Sequence, residues 1–123
     1  MATKLEPPQT AVAIAVWKVM YPDPIVVQAG ESVIVGATDP EWPGWTWCTD
    51  QRGKSGWTPA EYLQPSLETG IAVALHDFTA RELNIDIGDT VSLLQFQSGW
   101  YWASNAAGQE GWIPASHVAA KGR

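Results

Sequence analysis

Eight tryptophans in 123 residues set the chemistry this chain can offer. An indole is a broad apolar ring with one N–H donor, suited to half-exposed surfaces that pack or bind. Trp45 and Trp47 form one pair, Trp100 and Trp102 another with the same spacing. Residues two apart on a strand share a face, so each pair makes one aromatic surface. Cys48 and Ala103 then point into small cores. His76 and His117 add flat rings that can donate or accept a hydrogen bond. Groups suited to catalysis are badly arranged by comparison. Most carboxylates adjoin glycine or loop residues and read as solvated. Cys48 is the only cysteine, which excludes an intrachain disulfide, and its core position argues against a nucleophile. The glycines are scattered and form no phosphate loop. Two histidines are too few for a metal site, and Asp77, next to His76 on a strand, faces the other way. What remains is non-covalent recognition by aromatic surfaces, without enzyme activity, metal or cofactor.

Composition narrows the partners. Hydrophobic residues make up 46% of the chain, enough for a folded core. The net charge of −6 argues against nucleic acid, whose phosphates need clustered cations. The start, Met1 to Pro8, lacks the apolar stretch of a signal peptide, and no run approaches membrane-spanning length. The expected setting is soluble and cytoplasmic, with no membrane partner.

The elements that position these rings emerge from an internal repeat. Ala13-Ile14-Ala15-Val16 aligns with Ile71-Ala72-Val73-Ala74 at an offset of 58 (71 − 13). Ile25 and Gly30 align at that offset with Leu83 and Gly88. Beyond them the offset is 55 (100 − 45), placing Trp45 on Trp100, Gly56-Trp57 on Gly111-Trp112, Pro59 on Pro114 and Tyr62 on His117. The first copy thus holds extra residues around Asp39–Pro43, where two prolines mark a loop. Short β-branched runs such as Val33-Ile34-Val35, punctuated by glycine, read as strands, and no helical period is sustained. Strands this short must curl to hide their edges.

Four segments of the second copy resemble the SH3 family. Ala74-Leu75-His76-Asp77-Phe78 is similar to its ALYDY segment, and Glu82 to Asp89 to its E-L-S-F-x-x-G-D stretch. Gly99-Trp100-Tyr101-Trp102 stands at its tryptophan pair, and Gly111 to Val118 resembles G-Y/W-I-P-x-N-Y-V. The first copy is more divergent, with Val16-Trp17-Lys18-Val19-Met20 in the ALYDY place. The resemblance implies an all-β fold of two small five-stranded SH3-like barrels in tandem. The expected divisions are an N-terminal tail at 1–10, a divergent barrel at 11–65, a linker at 66–69 and an SH3 domain at 70–120.

The resemblance also implies a groove for extended, often proline-rich peptides, which are stiff before binding and lay prolines between aromatic rings. Carried onto this chain, the groove falls on His76, Phe78, Trp100, Pro114 and His117, with Ser116 as polar neighbour. His76 and His117 are expected to be adjacent. Only Thr79, Ala80, Arg81 and Glu82 separate Phe78 from Leu83, about three fewer than the family's acidic RT loop, which leaves Glu82 as the nearest ligand-pairing acid. In the first copy the matching positions are Lys18, Met20, Trp45, Pro59 and Tyr62, a second groove or a structural support. Trp47 and Trp102 either lengthen the aromatic platform or pack against another surface. The expected function is a protein or peptide interaction module. The alternative is an assembly subunit whose tryptophan faces are buried between its own barrels, in a homo-oligomer or against a partner.

Overall fold

The computed structural model describes residues 5–121; of the expected tail, Met1 to Lys4 lie outside the described residues. Twelve short strands carry these residues. The first half holds β1 (Gln9–Ala13), β2 (Val26–Val27), β3 (Ser32–Thr38), β4 (Trp45–Thr49), β5 (Ser55–Pro59) and β6 (Leu63–Pro65). The second holds β7 (Ile71–Ala74), β8 (Phe78–Thr79), β9 (Thr90–Gln97), β10 (Trp100–Ser104), β11 (Glu110–Pro114) and β12 (Val118–Ala120). Single turns of 3-10 helix, Ala60–Tyr62 and Ala115–His117, precede β6 and β12. The all-β expectation therefore holds. In β10 the alternation is plain: Trp100 and Trp102 are half-exposed, while Tyr101 and Ala103 are buried, as period-two side chains require.

Two five-stranded sheets result, ordered β11-β10-β9-β1-β12 and β5-β4-β3-β7-β6, with β2 and β8 forming a separate ribbon. The sheets follow one plan, but their fourth strands are exchanged. Strand β1, from the first sequence repeat, pairs with β9 and β12 of the second. Strand β7, from the second repeat, pairs with β3 and β6 of the first. The compact units are accordingly not the sequence repeats. One joins the chain up to Pro22 with everything from Glu82 onward; the other runs from Asp23 to Arg81. These units differ from the expected divisions at 11–65, 66–69 and 70–120. The supposed linker is a tight turn inside the continuous unit, with Ser66 N–H donating to the Ile71 carbonyl at 2.9 Å.

The sequence alignment also needs a shift at its start. Ala13 faces Val118 as Ala74 faces Leu63. Val118 and Leu63 are equivalent at the offset of 55 (118 − 63), so Ala13 corresponds to Ala74 at an offset of 61 (74 − 13). The physical reason is burial: the small residues Ala11 and Ala13 point inward in one unit, Ala72 and Ala74 in the other. Trp17 thereby takes the place of Phe78. Each is bridged to an equivalent partner, Trp17 to Ile85 and Phe78 to Val27.

The chain crosses between the units at Arg81 and Glu82. Ala80 N–H donates to the Ile25 carbonyl at 3.2 Å, and Leu83 is equivalent to Ile25. Had the second repeat folded back on itself, Ala80 would have to bond Leu83 across Arg81 and Glu82 alone. Two-residue hairpin turns of this kind need positive φ, which Gly and Asn supply. The chain makes one such turn elsewhere, at Ser98 (φ 44°) and Gly99 (φ 90°) between β9 and β10. Arg81 and Glu82 keep negative φ; forcing both into the left-handed region would cost about 1–2 kcal/mol each. The strand runs straight on instead.

The discontinuous unit centres on Tyr101, Ile113, Leu93, Val91, Ile85 and Leu83, all nearly fully buried. Leu5 packs on this core, and the Tyr101 hydroxyl donates to its carbonyl at 2.7 Å while accepting its N–H at 2.9 Å. Ile25, Val27, Val33, Cys48 and Trp45 are buried in the continuous unit.

Equivalent turns close β4–β5 and β10–β11 with different chemistry. Asn105 Oδ1 accepts N–H bonds from Ala107 and Gln109, and its amide donates to Gln109. Asp50 Oδ1 accepts from Arg52 and Lys54, but its Oδ2 accepts from Val26 N–H and the Arg52 guanidinium. Burial opposes ionisation of Asp50, yet the hydrogen bonds from Lys54, Val26 and Arg52 outweigh it and hold the carboxyl below its ordinary value. An amide there would aim a donor at two donors. Asp50→Asn is expected to destabilise the continuous unit by about 1–3 kcal/mol at neutral pH, read by urea unfolding. Because the folded carboxyl titrates below the unfolded one, the wild-type advantage is present above the unfolded value and is lost as pH falls through the folded one. An Asp50→Asn chain as stable as wild type would contradict this account.

Candidate functional site: two aromatic clusters

Each unit assembles a cluster of rings at the same place on its sheet. In the discontinuous unit Trp17 lies against Trp100 at 5.2 Å between centroids and 81° between planes, and against His117 at 5.5 Å and 89°. In the continuous unit Phe78 meets Tyr62 at 5.7 Å and 88°, and Trp45 at 6.3 Å and 52°; His76 adds a contact to Tyr62 at 5.1 Å. Edge-to-face geometry suits the ring quadrupoles and holds each cluster in a fixed shape. The 3-10 turns deliver His117 and Tyr62, while β10 and β4 deliver Trp100 and Trp45.

The two clusters differ in access. Trp17, Trp100 and His117 are all half-exposed and Ser116 is exposed. Trp45 and Phe78 retain only 4% and 7% of their surface. The discontinuous unit therefore presents all three of its rings, whereas in the continuous unit Trp45 and Phe78 are covered and only Tyr62 and His76 reach the surface.

Glu82 sits beneath the open surface. Its Oε1 accepts the Trp17 indole N–H at 2.8 Å. Burial pushes its carboxyl above the ordinary value, against hydrogen bonds from Trp17 and from the backbone of Met20 and Tyr21. Lys18 pairs with Asp86 at 3.3 Å, and Val19 N–H donates to Asn84 Oδ1 at 2.7 Å. These contacts fasten the 17–21 segment, so that Trp17 is presented from a fixed backbone. Ser116 Oγ and His117 Nδ1 share a hydrogen bond at 2.9 Å.

The expected site residues are thus divided. Trp100, Pro114, Ser116, His117 and Glu82 belong to the discontinuous unit; His76 and Phe78 belong to the continuous one, with Trp45, Pro59 and Tyr62. His76 and His117 fall in different units, and each packs on a ring of its own unit. Met20 belongs to the discontinuous unit, Trp45 and Tyr62 to the continuous one, and Met20 is 61% exposed. Glu82 is a clamp for Trp17 as well as an acid. Pro114 and Pro59 pair with Trp100 and Trp45 but are fully buried, so they underlie those rings without offering a wall. Trp47 and Trp102 pack within their own units, on Trp57 at 5.1 Å and on Trp112 at 5.4 Å. Trp17 is the residue that the sequence alignment missed. The preference for small inward residues on β1 was the signal that could have found it.

Among the described residues no group of His, Cys, Asp and Glu is arranged to hold a metal ion, and no helix is long and apolar enough to cross a membrane. Residues 71–120 match the family described as the variant SH3 domain. The human protein described as SH3 and PX domain-containing protein 2B is 30% identical over 96 residues, covering 76% of this chain and 10% of that protein. Human intersectin-1 is 22% identical over 134 residues, covering 90% of this chain and 8% of its own length. Rat jouberin is 36% identical over 64 residues, covering 49% and 6%. The chain spans a tenth or less of the length of these curated relatives. The matched stretch 71–120 is continuous in sequence, yet it passes from one compact unit to the other at Arg81 and Glu82.

Proposed function

We propose that the chain is a non-enzymatic peptide-binding module made of two SH3-like barrels, in which the discontinuous unit carries the working groove. The carrying observation is the half-exposed set Trp17, Trp100 and His117, held edge to face above the clamped Glu82. A fixed row of rings with slots between them fits an extended, proline-rich segment, because such a ligand loses little freedom when it docks. The variant SH3 match across 71–120 supports the same reading. The second barrel, with Trp45 and Phe78 buried, serves as a structural partner. The wider assembly role is less well supported, since Trp47 and Trp102 find partners inside their own units.

The test is a titration of the whole chain with proline-rich peptide pools, read by tryptophan fluorescence. Saturable binding that weakens tenfold or more in Trp100→Ala is expected, as central aromatic anchors carry on the order of 2 kcal/mol or more. Binding that Trp100→Ala leaves intact would place the groove elsewhere.

A further inference from the structure

We infer that the Arg81–Glu82 junction decides which rings come together in each cluster, besides the clamp that Glu82 places on Trp17. Both arrangements, exchanged and unexchanged, would use the same sheet plan, as the matching strand orders show. Their difference lies in the connections and in the ring sets those connections deliver. In the exchanged chain Trp17 meets Trp100 and His117, while Phe78 meets Trp45 and Tyr62. Unexchanged, Phe78 would fall to Trp100 and Trp17 to Trp45.

The two connections are not equally restrictive. In the first repeat Val19 occupies the place of Ala80, so folding back would leave the five residues Met20 to Pro24 as the loop. That length is common for a hairpin. In the second repeat only Arg81 and Glu82 are left, with neither Gly nor Asn to take positive φ. Short, strained hinges favour exchange of the element they should have turned back. One junction therefore sets the arrangement of the whole chain. The inference concerns chain path and stands whether or not the groove binds a peptide.

Cross-linking of the full chain separates the arrangements. Val12 faces Ala119 in the exchanged form. Since Val73 faces Gln64 and Val12 is equivalent to Val73, Val12 would face Gln64 in the unexchanged form. In a Cys48→Ala background, Val12→Cys is combined with either Ala119→Cys or Gln64→Cys and treated with a short thiol cross-linker. With the natural junction, the 12–119 adduct within one chain is expected and the 12–64 adduct is not. Inserting Gly-Asn-Gly between Arg81 and Glu82 is expected to raise the 12–64 adduct on the order of tenfold as the populations shift. Should the insertion prevent folding, Arg81→Asn with Glu82→Gly supplies the turn chemistry at unchanged length, with the same expected rise. A 12–64 adduct in the natural chain, or a 12–119 adduct joining two chains, overturns the exchange within one chain. A folded variant that still yields the 12–119 adduct alone, or gains no 12–64 adduct, overturns the role of the junction.

Discussion

Gly111→Ala is expected to unfold the discontinuous unit, while Gly56→Ala, at the equivalent position of the other, costs less. A Cβ on Gly111 would lie 2.5 Å from the carbonyl carbon of Glu82, 2.7 Å from its oxygen and 2.7 Å from Leu83 N. All three are backbone atoms, at the point where the chain crosses β11 and Leu83 N–H donates to the Trp112 carbonyl. No rotamer change relieves such a contact. A Cβ on Gly56 would meet side chains, Ala80 Cβ and Ile25 Cγ2, both at 2.9 Å. Ala80 Cβ is fixed to its backbone and Ile25 is fully buried, so something must shift there too, but the nearest backbone atom, Ile25 N, is 3.4 Å away. Overpacking of this sort costs typically about 1–3 kcal/mol and more where backbone must move. Urea unfolding followed by tryptophan fluorescence should show about 3 kcal/mol or more lost for Gly111→Ala and about 1–2 for Gly56→Ala. Equal losses would mean that the crossing at Gly111 is looser than described.

The second large effect falls on Trp17, which lies outside the stretch 71–120 that matches the SH3 family. Trp17→Ala removes ring contacts to Trp100 and His117 and leaves the half-buried Glu82 without its indole donor. Truncating a fully buried tryptophan costs about 3–5 kcal/mol; for a half-exposed one a loss of about 2–3 kcal/mol is expected. Met20→Ala, by contrast, should fall within about 0.5 kcal/mol of wild type, since Met20 is exposed. Peptide binding, where present, should be lost with Trp17→Ala and kept with Met20→Ala. The reverse pattern would restore the alignment in which Met20 is the groove residue.

Much of this architecture was legible in the residues. Short glycine-bounded runs with Val and Ile pointed to small sheets, and the repeated Trp-x-Trp, Gly-Trp and Pro positions fixed the equivalence of β4–β5 with β10–β11. The loop around Asp39–Pro43 also lies where expected, between β3 and β4. The alignment failed on β1. A run of Ala, Val and Ile satisfies more than one register, and the choice depends on which residues face inward. Exchange was hidden for another reason: sequence similarity pairs each strand with its counterpart in the other copy and is blind to which sheet receives it. Even so, the shortness of Thr79 to Glu82, noted as a shortened RT loop, was the visible sign of a connection too short to turn back without positive φ.

The strap of Leu5 across Tyr101 and the strand β1 behind it carry a consequence for synthesis. The residues up to Pro22 belong to a unit whose other strands, from Glu82 onward, are synthesised later than the stretch between them. The stretch from Asp23 to Arg81 has all its partners in hand much earlier and can close while the opening segment waits. Contacts such as Ala11 with Ala120 span nearly the whole chain, and loops of that length close late. The order of folding thus departs from the order of translation: the stretch from Asp23 to Arg81 sets first, and the residues before it are placed only when those from Glu82 onward arrive.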